Sequence, residues 1–377
     1  MPDPWWRPQR DALLALAAAQ TPRYVYALGV LRAHAAALRA SVPADRVLYA
    51  VKANDHPDVV RTLAGEGLGM ECVSRGEVEH VQALGLAANR ILYTPNFAPR
   101  AEVAWALAQG VRVTLDNAAT LDAWPDVWAG QAVFVRVDPG TGRGHHAHVR
   151  TAGTASKFGV AAGDLAALAD RAAALGVRVV GLHAHVGSGV DETNVWAETA
   201  RTLATHADAC FPDVTVLDVG GGLPVPTGGA QPFDLTAAGE ALAAVRAERP
   251  RFEVWVEPGR FLVADAGVLL ARVTQVKRKG DMRFVGLDAG MNTLVRPALY
   301  GAHHDLVNLT RLDAPDEGPA EIVGPICETG DAFAHAHPFP EAREGDVVLI
   351  ASTGAYGAVM ASRYNRRIPA DEVVLDA

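Results

Sequence analysis

The sequence predicts an α/β protein: a closed (β/α)8 barrel of the TIM type followed by a second, mostly β domain. Three observations predict it. Eight short runs rich in β-branched and aromatic residues alternate with Ala/Leu-rich stretches such as "DLAALADRAAALG", and strands that alternate with helices pair in parallel. Eight such units within roughly 230 residues match a closed barrel better than an open sheet. Beyond about residue 265 strand-like runs continue without long helices between them.

Taken in order, the N-terminal "MPDPWWRPQRDALLALAAAQTP" carries a short apolar run flanked by Asp3 and Asp11. Acidic flanks and an early break predict an ordinary amphipathic helix rather than a secretion signal. "RYVYAL" reads as a hairpin-like strand. The eight barrel runs are "VLYAVKA" (47–53), "GMECVS" (69–74), "ILYTP" (91–95), "RVTLDN" (112–117), "VFVRVD" (133–138), "VVGLHAHVG" (179–187), "VTVLDVGGG" (214–222) and "EVWVEPG" (253–259). "VLLARVTQVKRKG", "RFVGLDAG", "EGDVVLIAS" and "EVVLD" supply the β domain, with "VKRKG" read as a polar turn. The expected division is a barrel over 27–265, with 1–26 and 266–377 forming the β domain that completes the active site.

Composition narrows the function. The 377 residues are half hydrophobic and one-fifth charged, enough for a large core, and the formal net charge is −9. With no basic patch, nucleic acid is not expected as a partner. No apolar run reaches the ~20 residues that span a bilayer. Three cysteines, at 72, 210 and 327, form no CxxC, which argues against a disulfide framework or zinc knuckle and for a reducing cytoplasm. Lysine is scarce, standing only at 52, 157, 277 and 279, so each position bears weight.

A barrel of this kind places its chemistry at the C-terminal ends of its strands. There the sequence puts Lys52 after the first run, His185 in "HVGSG" after the sixth, Gly220-Gly221-Gly222 after the seventh and Glu257 in "EPGR" after the eighth. Each has an ordinary reading: a solvated lysine, a packed histidine, a tight turn, a surface carboxylate. Together they meet the requirements of one molecule, pyridoxal 5'-phosphate. Its aldehyde needs an amine, its phosphate needs backbone amides freed by glycine, its ring needs a flat partner, and its ring nitrogen needs a carboxylate to stay protonated. A free lysine titrates about three units above neutrality, so Lys52 needs desolvation or the covalent link itself to act. Lys157 in "SKFG" reads as structural or loop-closing.

The ordered set "YAVKAN", "SKFG", "HVGSG", "DVGGGLP", "VEPGR", "RPALYGAHH", "GPICETGD" and "GAYG…SRYNRR" resembles the fold-type III pyridoxal-phosphate decarboxylases, and within them the diaminopimelate decarboxylases. The resemblance implies the same barrel and β domain. It implies that Lys52 links covalently to the cofactor, that His185 stacks on its ring and that Glu257 pairs with the ring nitrogen. Ser188, Gly220, Gly221, Gly222, Gly259 and Arg260 would surround the phosphate, and Tyr356 would reach both phosphate and substrate. The small-molecule substrate implied, meso-2,6-diaminopimelate, is decarboxylated to L-lysine. Its distal carboxylate would meet Arg260, Arg296 and Tyr300, because a planar guanidinium grips a carboxylate with two bonds. Glu328 would take the distal ammonium, and Cys327 would return a proton to the reacting carbon. In the family "CE" serves the other subunit's site, which implies a two-fold homodimer.

Other readings stay beside this one: decarboxylation of ornithine, lysine or a secondary-metabolite amino acid, an alanine-racemase-like isomerase, and a non-catalytic binding homologue. A bare distal ammonium gains nothing from buried arginines, which favours the diacid. Departures from the family pattern are Glu71, where relatives often carry aspartate, "CETGD" in place of a "CESSD"-like run, and a short segment between Gly222 and Arg251. The histidine-rich runs "GHHAH" (144–148), "GAHHD" (301–305) and "HAHP" (335–338) lack convincing ligand spacing, so no metal is expected. "GHHAH" is assigned to a loop over the barrel mouth.

Overall fold

In the computed structural model, which describes residues 3–140, 156–226 and 231–377, each of the eight runs forms one strand. They are Arg46–Ala50, Gly69–Cys72, Ile91–Tyr93, Arg112–Leu115, Ala132–Asp138, Arg178–His183, Val216–Asp218 and Glu253–Val256. All pair in parallel, and the ring closes because the eighth strand pairs with the first (Trp255↔Arg46, Val256↔Val47). Leu48, Leu92, Phe134 and Val216 form a buried cluster, and they come from the first, third, fifth and seventh strands. Side chains of non-adjacent strands meet only inside a closed barrel, in layers drawn from alternate strands. Trp255 joins that cluster, with the guanidinium groups of Arg46 and Arg112 over its ring at 4.8 and 5.4 Å. The interior is therefore filled, and the open chemistry lies at the strands' C-terminal ends.

The described chain divides into this barrel unit (34–224 and 232–259) and a sheet unit built from the N-terminal segment and 260–377. The N-terminal helix, Arg10–Ala19, buries Leu13 and Ala17 in the sheet unit's core with Val25, Val268, Leu270 and Leu349. The strand Arg23–Ala27 is not part of a hairpin. It lies between Gly267–Lys279, antiparallel, and Asp371–Leu375, parallel. Both partners come from the far end of the chain, which no local pattern could reveal. "VKRKG" is likewise strand rather than turn: Lys277 pairs with Phe284 and Lys279 with Met282, and the chain reverses at Gly280 and Asp281. Both faces of this ribbon end are exposed, so it lacks the alternation that marks a half-buried strand. "GHHAH" lies outside the described residues. Among the described residues no helix is long and apolar enough to cross a membrane.

Helix packing in the barrel unit sets one testable limit. Gly239 sits within the helix Leu235–Glu248, and a methyl there would overlap the carbonyl oxygen of Ser41. Alanine favours a helix interior by about 1 kcal/mol over glycine, whereas overpacking costs about 1–3 kcal/mol. With a backbone oxygen as the obstacle, the steric cost should win. Gly239→Ala should lower the thermal midpoint, and a rise would show that the two segments part freely.

Candidate active site

The barrel unit gathers one cluster at its strand ends. Lys52 does not end its strand. It sits in a single 3-10 turn, Val51–Ala53, directly beyond it. The turn is braced by the Tyr49 hydroxyl, which donates to the carbonyl of Asn54 (2.7 Å), and by the Asn54 N–H, which donates to Val51 (3.0 Å). Lys52 Nζ then lies 2.6 Å from Glu71 Oε2. Glu71 is 1 % exposed, and burial pushes its carboxyl up, with Lys52 only partly offsetting that. The longer arm of glutamate at this position thus reaches the lysine amine directly.

The sixth strand ends at His183, not His185, and the two imidazoles take different work. His183 Nε2 bonds Glu257 Oε2 at 3.1 Å, both groups being buried. Burial alone would raise the Glu257 carboxyl. The charge and hydrogen bond of His183, with Lys52 and His185, outweigh it and hold Glu257 at about 2. Glu257 Oε1 has no hydrogen-bond partner. His185 Nδ1 accepts the Gly221 N–H (3.2 Å), and burial, then Lys52 and Arg136, hold it down at about 3. His185 is therefore a neutral ring over the working pH range. Asp218, at the end of the seventh strand, accepts the Gly220 N–H (2.9 Å), and burial followed by the Glu257 charge pushes its carboxyl well up. His183, Asp218 and Glu257 form the one carboxylate–imidazole group with metal-like spacing among the described residues.

The glycine triplet is a close-packed turn. Gly220 and Gly222 have φ of 70° and 96°. A methyl on Gly220 would sit 2.7 Å from His185 Nδ1, one on Gly222 would sit 2.6 Å from the Gly187 carbonyl oxygen, and one on Gly221 would overlap the Glu257 carbonyl. The Val190 N–H donates to Gly222 (3.0 Å), so the loop carrying Ser188 lies against the triplet. Gly259 packs on Ala50 and Ala53, where an added methyl would be 3.1 Å from each Cβ. Arg136, buried on the fifth strand, lies 4.4 Å from the Phe158 ring and 3.9 Å from Asp116. Lys157 Nζ lies 5.2 Å from the centre of the same ring, and the residue is exposed. A separate cavity of about 640 Å³, lined by Phe97, Asp116, Trp124, Trp128 and Lys157 among others, touches none of Lys52, His185 or Glu257.

The sheet unit gathers a second cluster. Arg260 lies over the Tyr356 ring at 5.0 Å, and Tyr356 has φ of 58°. Arg296 opens the short helix Arg296–Tyr300, which Gly301 ends in the left-handed region (φ 61°). Arg296 is 9 % exposed, and burial, then the Arg260 charge, lower it to about 10. Its Nη1 donates to His304 Nε2 at 3.1 Å. Cys327 and Glu328 are exposed. The Cys327 thiol lies 3.3 Å from Asn365 Nδ2, and Glu328 accepts the Tyr364 hydroxyl at 2.5 Å. Buried Asp331 holds their loop by accepting the N–H groups of Ile326 (2.6 Å) and Met291 (2.5 Å).

Residues 28–264 match the family described as "Pyridoxal-dependent decarboxylase, pyridoxal binding domain". The chain belongs to the pyridoxal-dependent decarboxylases. It is 38 % identical over 343 residues to the diaminopimelate decarboxylase of Methanothermobacter thermautotrophicus, covering 88 % of this chain and 80 % of that one. Its structure superposes on diaminopimelate decarboxylase from Helicobacter pylori complexed with L-lysine (TM-score 0.89, 27 % identity, 94 % and 92 % coverage). It also superposes on lysine/ornithine decarboxylase complexed with cadaverine from Vibrio vulnificus (TM-score 0.86, 25 % identity, 100 % and 98 % coverage).

The residues present fit the cofactor of this decarboxylase family. The unengaged buried oxygen of Glu257 suits a protonated ring nitrogen, the glycine turn and the Ser188 loop suit a phosphate, and Lys52 presents its amine among them. The barrel unit thus brings together Lys52, His185, Ser188, the triplet, Glu257 and Gly259. The sheet unit brings together Arg260, Arg296 and Tyr356, with Tyr300 on the same helix as Arg296. Sequence reasoning missed His183, Asp218, Arg136, Asp331, Tyr364 and Asn365. One signal was available: "HAH" on an extended segment puts positions 183 and 185 on one face.

His183→Leu should remove the attraction that holds Glu257 down. A depressed carboxyl contributes stability above its unfolded value of about 4.3 and loses it as pH falls through the folded value. For Glu257 that loss runs from about 4 to about 2. Urea titrations at stepped pH should show a shallower acid-side fall in the variant than in the parent. Equal slopes would mean that His183 does not set the charge of Glu257.

Proposed function

We propose that this decarboxylase acts on meso-2,6-diaminopimelate and releases L-lysine and carbon dioxide. The observation that carries the substrate assignment is Arg296, a buried guanidinium whose hydrogen-bond partner is a neutral imidazole rather than a carboxylate. A buried cation without a counterion is costly unless a ligand supplies one. The distal carboxylate of a diamino diacid supplies it, and the ammonium tail of ornithine or lysine does not.

The bound cofactor supplies an electron sink for the pair left at Cα when the carboxylate departs. Lys52 provides the amine that anchors it, and Glu71, 2.6 Å away, holds a proton at Nζ or takes one from it. Ionised Glu257 keeps Oε1 for the ring nitrogen, and neutral His185 offers an uncharged face to a cationic ring. Gly220, Gly221, Gly222, Ser188 and Gly259 line the phosphate position. From the sheet unit, Arg260 and Tyr356 serve phosphate and substrate, Arg296 and Tyr300 take the distal carboxylate, Glu328 takes the distal ammonium and the Cys327 thiol delivers the proton that replaces carbon dioxide. Cys327 and Glu328 are exposed on the single chain, which supports a homodimer whose subunits exchange these two residues. Three free thiols suit a reducing cytoplasm.

Carbon dioxide release should be faster from meso-diaminopimelate than from lysine or ornithine, and the reverse order would refute the assignment. Arg296→Ala should raise KM for the diacid roughly 30-fold or more, as truncating one partner of a buried charge pair does. It should leave the visible absorbance of the lysine-linked cofactor intact, and loss of that absorbance would move Arg296 to cofactor binding. Lys52→Ala and Cys327→Ala should each be inactive. Mixed and allowed to exchange subunits, they should regain about a quarter of wild-type activity, because half the dimers then hold one intact shared site. No recovery would mean that each chain completes its own site.

A further inference from the structure

The histidine pair in "GAHHD", set aside above as a metal ligand, has a different use. His303 is exposed and bonds Asp305 (3.0 Å), whereas His304 is 3 % exposed and bridges two groups. His304 Nδ1 lies 2.9 Å from the carbonyl oxygen of Ala351, directly after the strand Val347–Ile350, and Nε2 lies 3.1 Å from Arg296 Nη1. A carbonyl only accepts and a guanidinium only donates. Nδ1 must therefore carry the proton, and Nε2 must be the bare acceptor. The ring is neutral, and burial, then Arg296, hold its titration down at about 4.

We infer that His304 is a positioning residue for specificity: it orients the Arg296 guanidinium through a neutral acceptor and leaves the full positive charge for the substrate's distal carboxylate. The inference rests on the proposed substrate. A guanidinium on a flexible arm needs a fixed partner to present two parallel N–H bonds in one plane. Aspartate or glutamate would fix it equally well but would also neutralise it, and the ligand carboxylate would then meet an ion pair rather than a cation. The imidazole avoids this, since its far nitrogen is tied to the Ala351 backbone and it brings no charge. Arg260 adds a positive field at Arg296. A protonated His304 would have no lone pair for Arg296, and its burial beside that cation keeps it from charging.

The test compares kcat and KM for carbon dioxide release from meso-diaminopimelate in wild type, His304→Leu, His304→Gln and His304→Glu. Cofactor absorbance and the thermal midpoint are recorded for each. His304→Leu should raise KM about tenfold, or ~1.4 kcal/mol, with kcat little changed. His304→Gln can donate to Ala351 and accept from Arg296, so it should bind nearly as wild type does. His304→Glu keeps an acceptor but cancels the charge, so its KM should rise at least as far as that of the leucine variant. Should the leucine variant fail to fold, the glutamine–glutamate pair decides, because those two differ in charge and not in reach. A glutamine variant no better than glutamate, or a leucine or glutamate variant with wild-type KM, overturns the inference. Wild type is read first: if it does not prefer the diacid over lysine and ornithine, the substrate assignment falls and takes this inference with it, whereas intact wild-type selectivity confines any failure to His304.

Discussion

The seam between the last and first barrel strands is the constraint on which the rest depends. Two residue pairs, Trp255↔Arg46 and Val256↔Val47, join them, and the Ala50 N–H continues the seam to the Pro258 carbonyl (3.3 Å). This closure brings the turn bearing Lys52 beside the segment bearing Glu257. The packing of Gly259 on Ala50 and Ala53 needs a residue without a side chain at that point. A sheet left open along this edge would leave the amine and the ring-nitrogen carboxylate at opposite ends of the barrel sequence with nothing to unite them.

Closure also forces several ionisable groups into one buried space, where they cannot all be charged. Glu257, Asp218 and Glu71 are buried carboxyls that raise one another's cost of ionising. The conflict is resolved unequally. Glu257 takes the hydrogen bond and charge of His183 and stays ionised, Asp218 is pushed well up, and Lys52 partly offsets the burial of Glu71. Glu257 Oε1 and Asp218 Oδ2 are the two oxygens of this group left without a hydrogen-bond partner, and the Glu257 oxygen belongs to the group held ionised. Groups of like kind driven apart in acidity by their surroundings are what assign separate roles to similar residues.

The sheet unit treats cations in the complementary way. Burial and the Arg260 charge both weigh on Arg296, whose hydrogen-bond partner is a neutral imidazole. This arrangement stores a demand for an anion instead of satisfying it internally. The fold is shared with decarboxylases of different substrates, so the architecture alone does not choose among them. In the proposed reading the choice resides in the Arg296 guanidinium, which meets an imidazole rather than a carboxylate.

Much of this was legible in the sequence. Alternating β-rich and Ala/Leu-rich runs determined eight strands and their order, because side-chain period and backbone propensity are local properties. The same locality placed Lys52, the glycine triplet and Glu257 at strand ends, and the ordered motifs carried the family. It also explains what went astray: "VKRKG" was read as a turn because a ribbon exposed on both faces has no buried side to mark it, and "RYVYAL" was read as a hairpin because its partners lie at the far end of the chain. Only the tertiary structure decided which histidine of "HAH" supports Glu257 and which accepts from Gly221, that burial pushes the Asp218 carboxyl up while His183 holds that of Glu257 down, and that His304 rather than a carboxylate holds Arg296. Protonation and hydrogen-bond partnership depend on burial and on neighbours distant in sequence, and those exist only once the chain has closed.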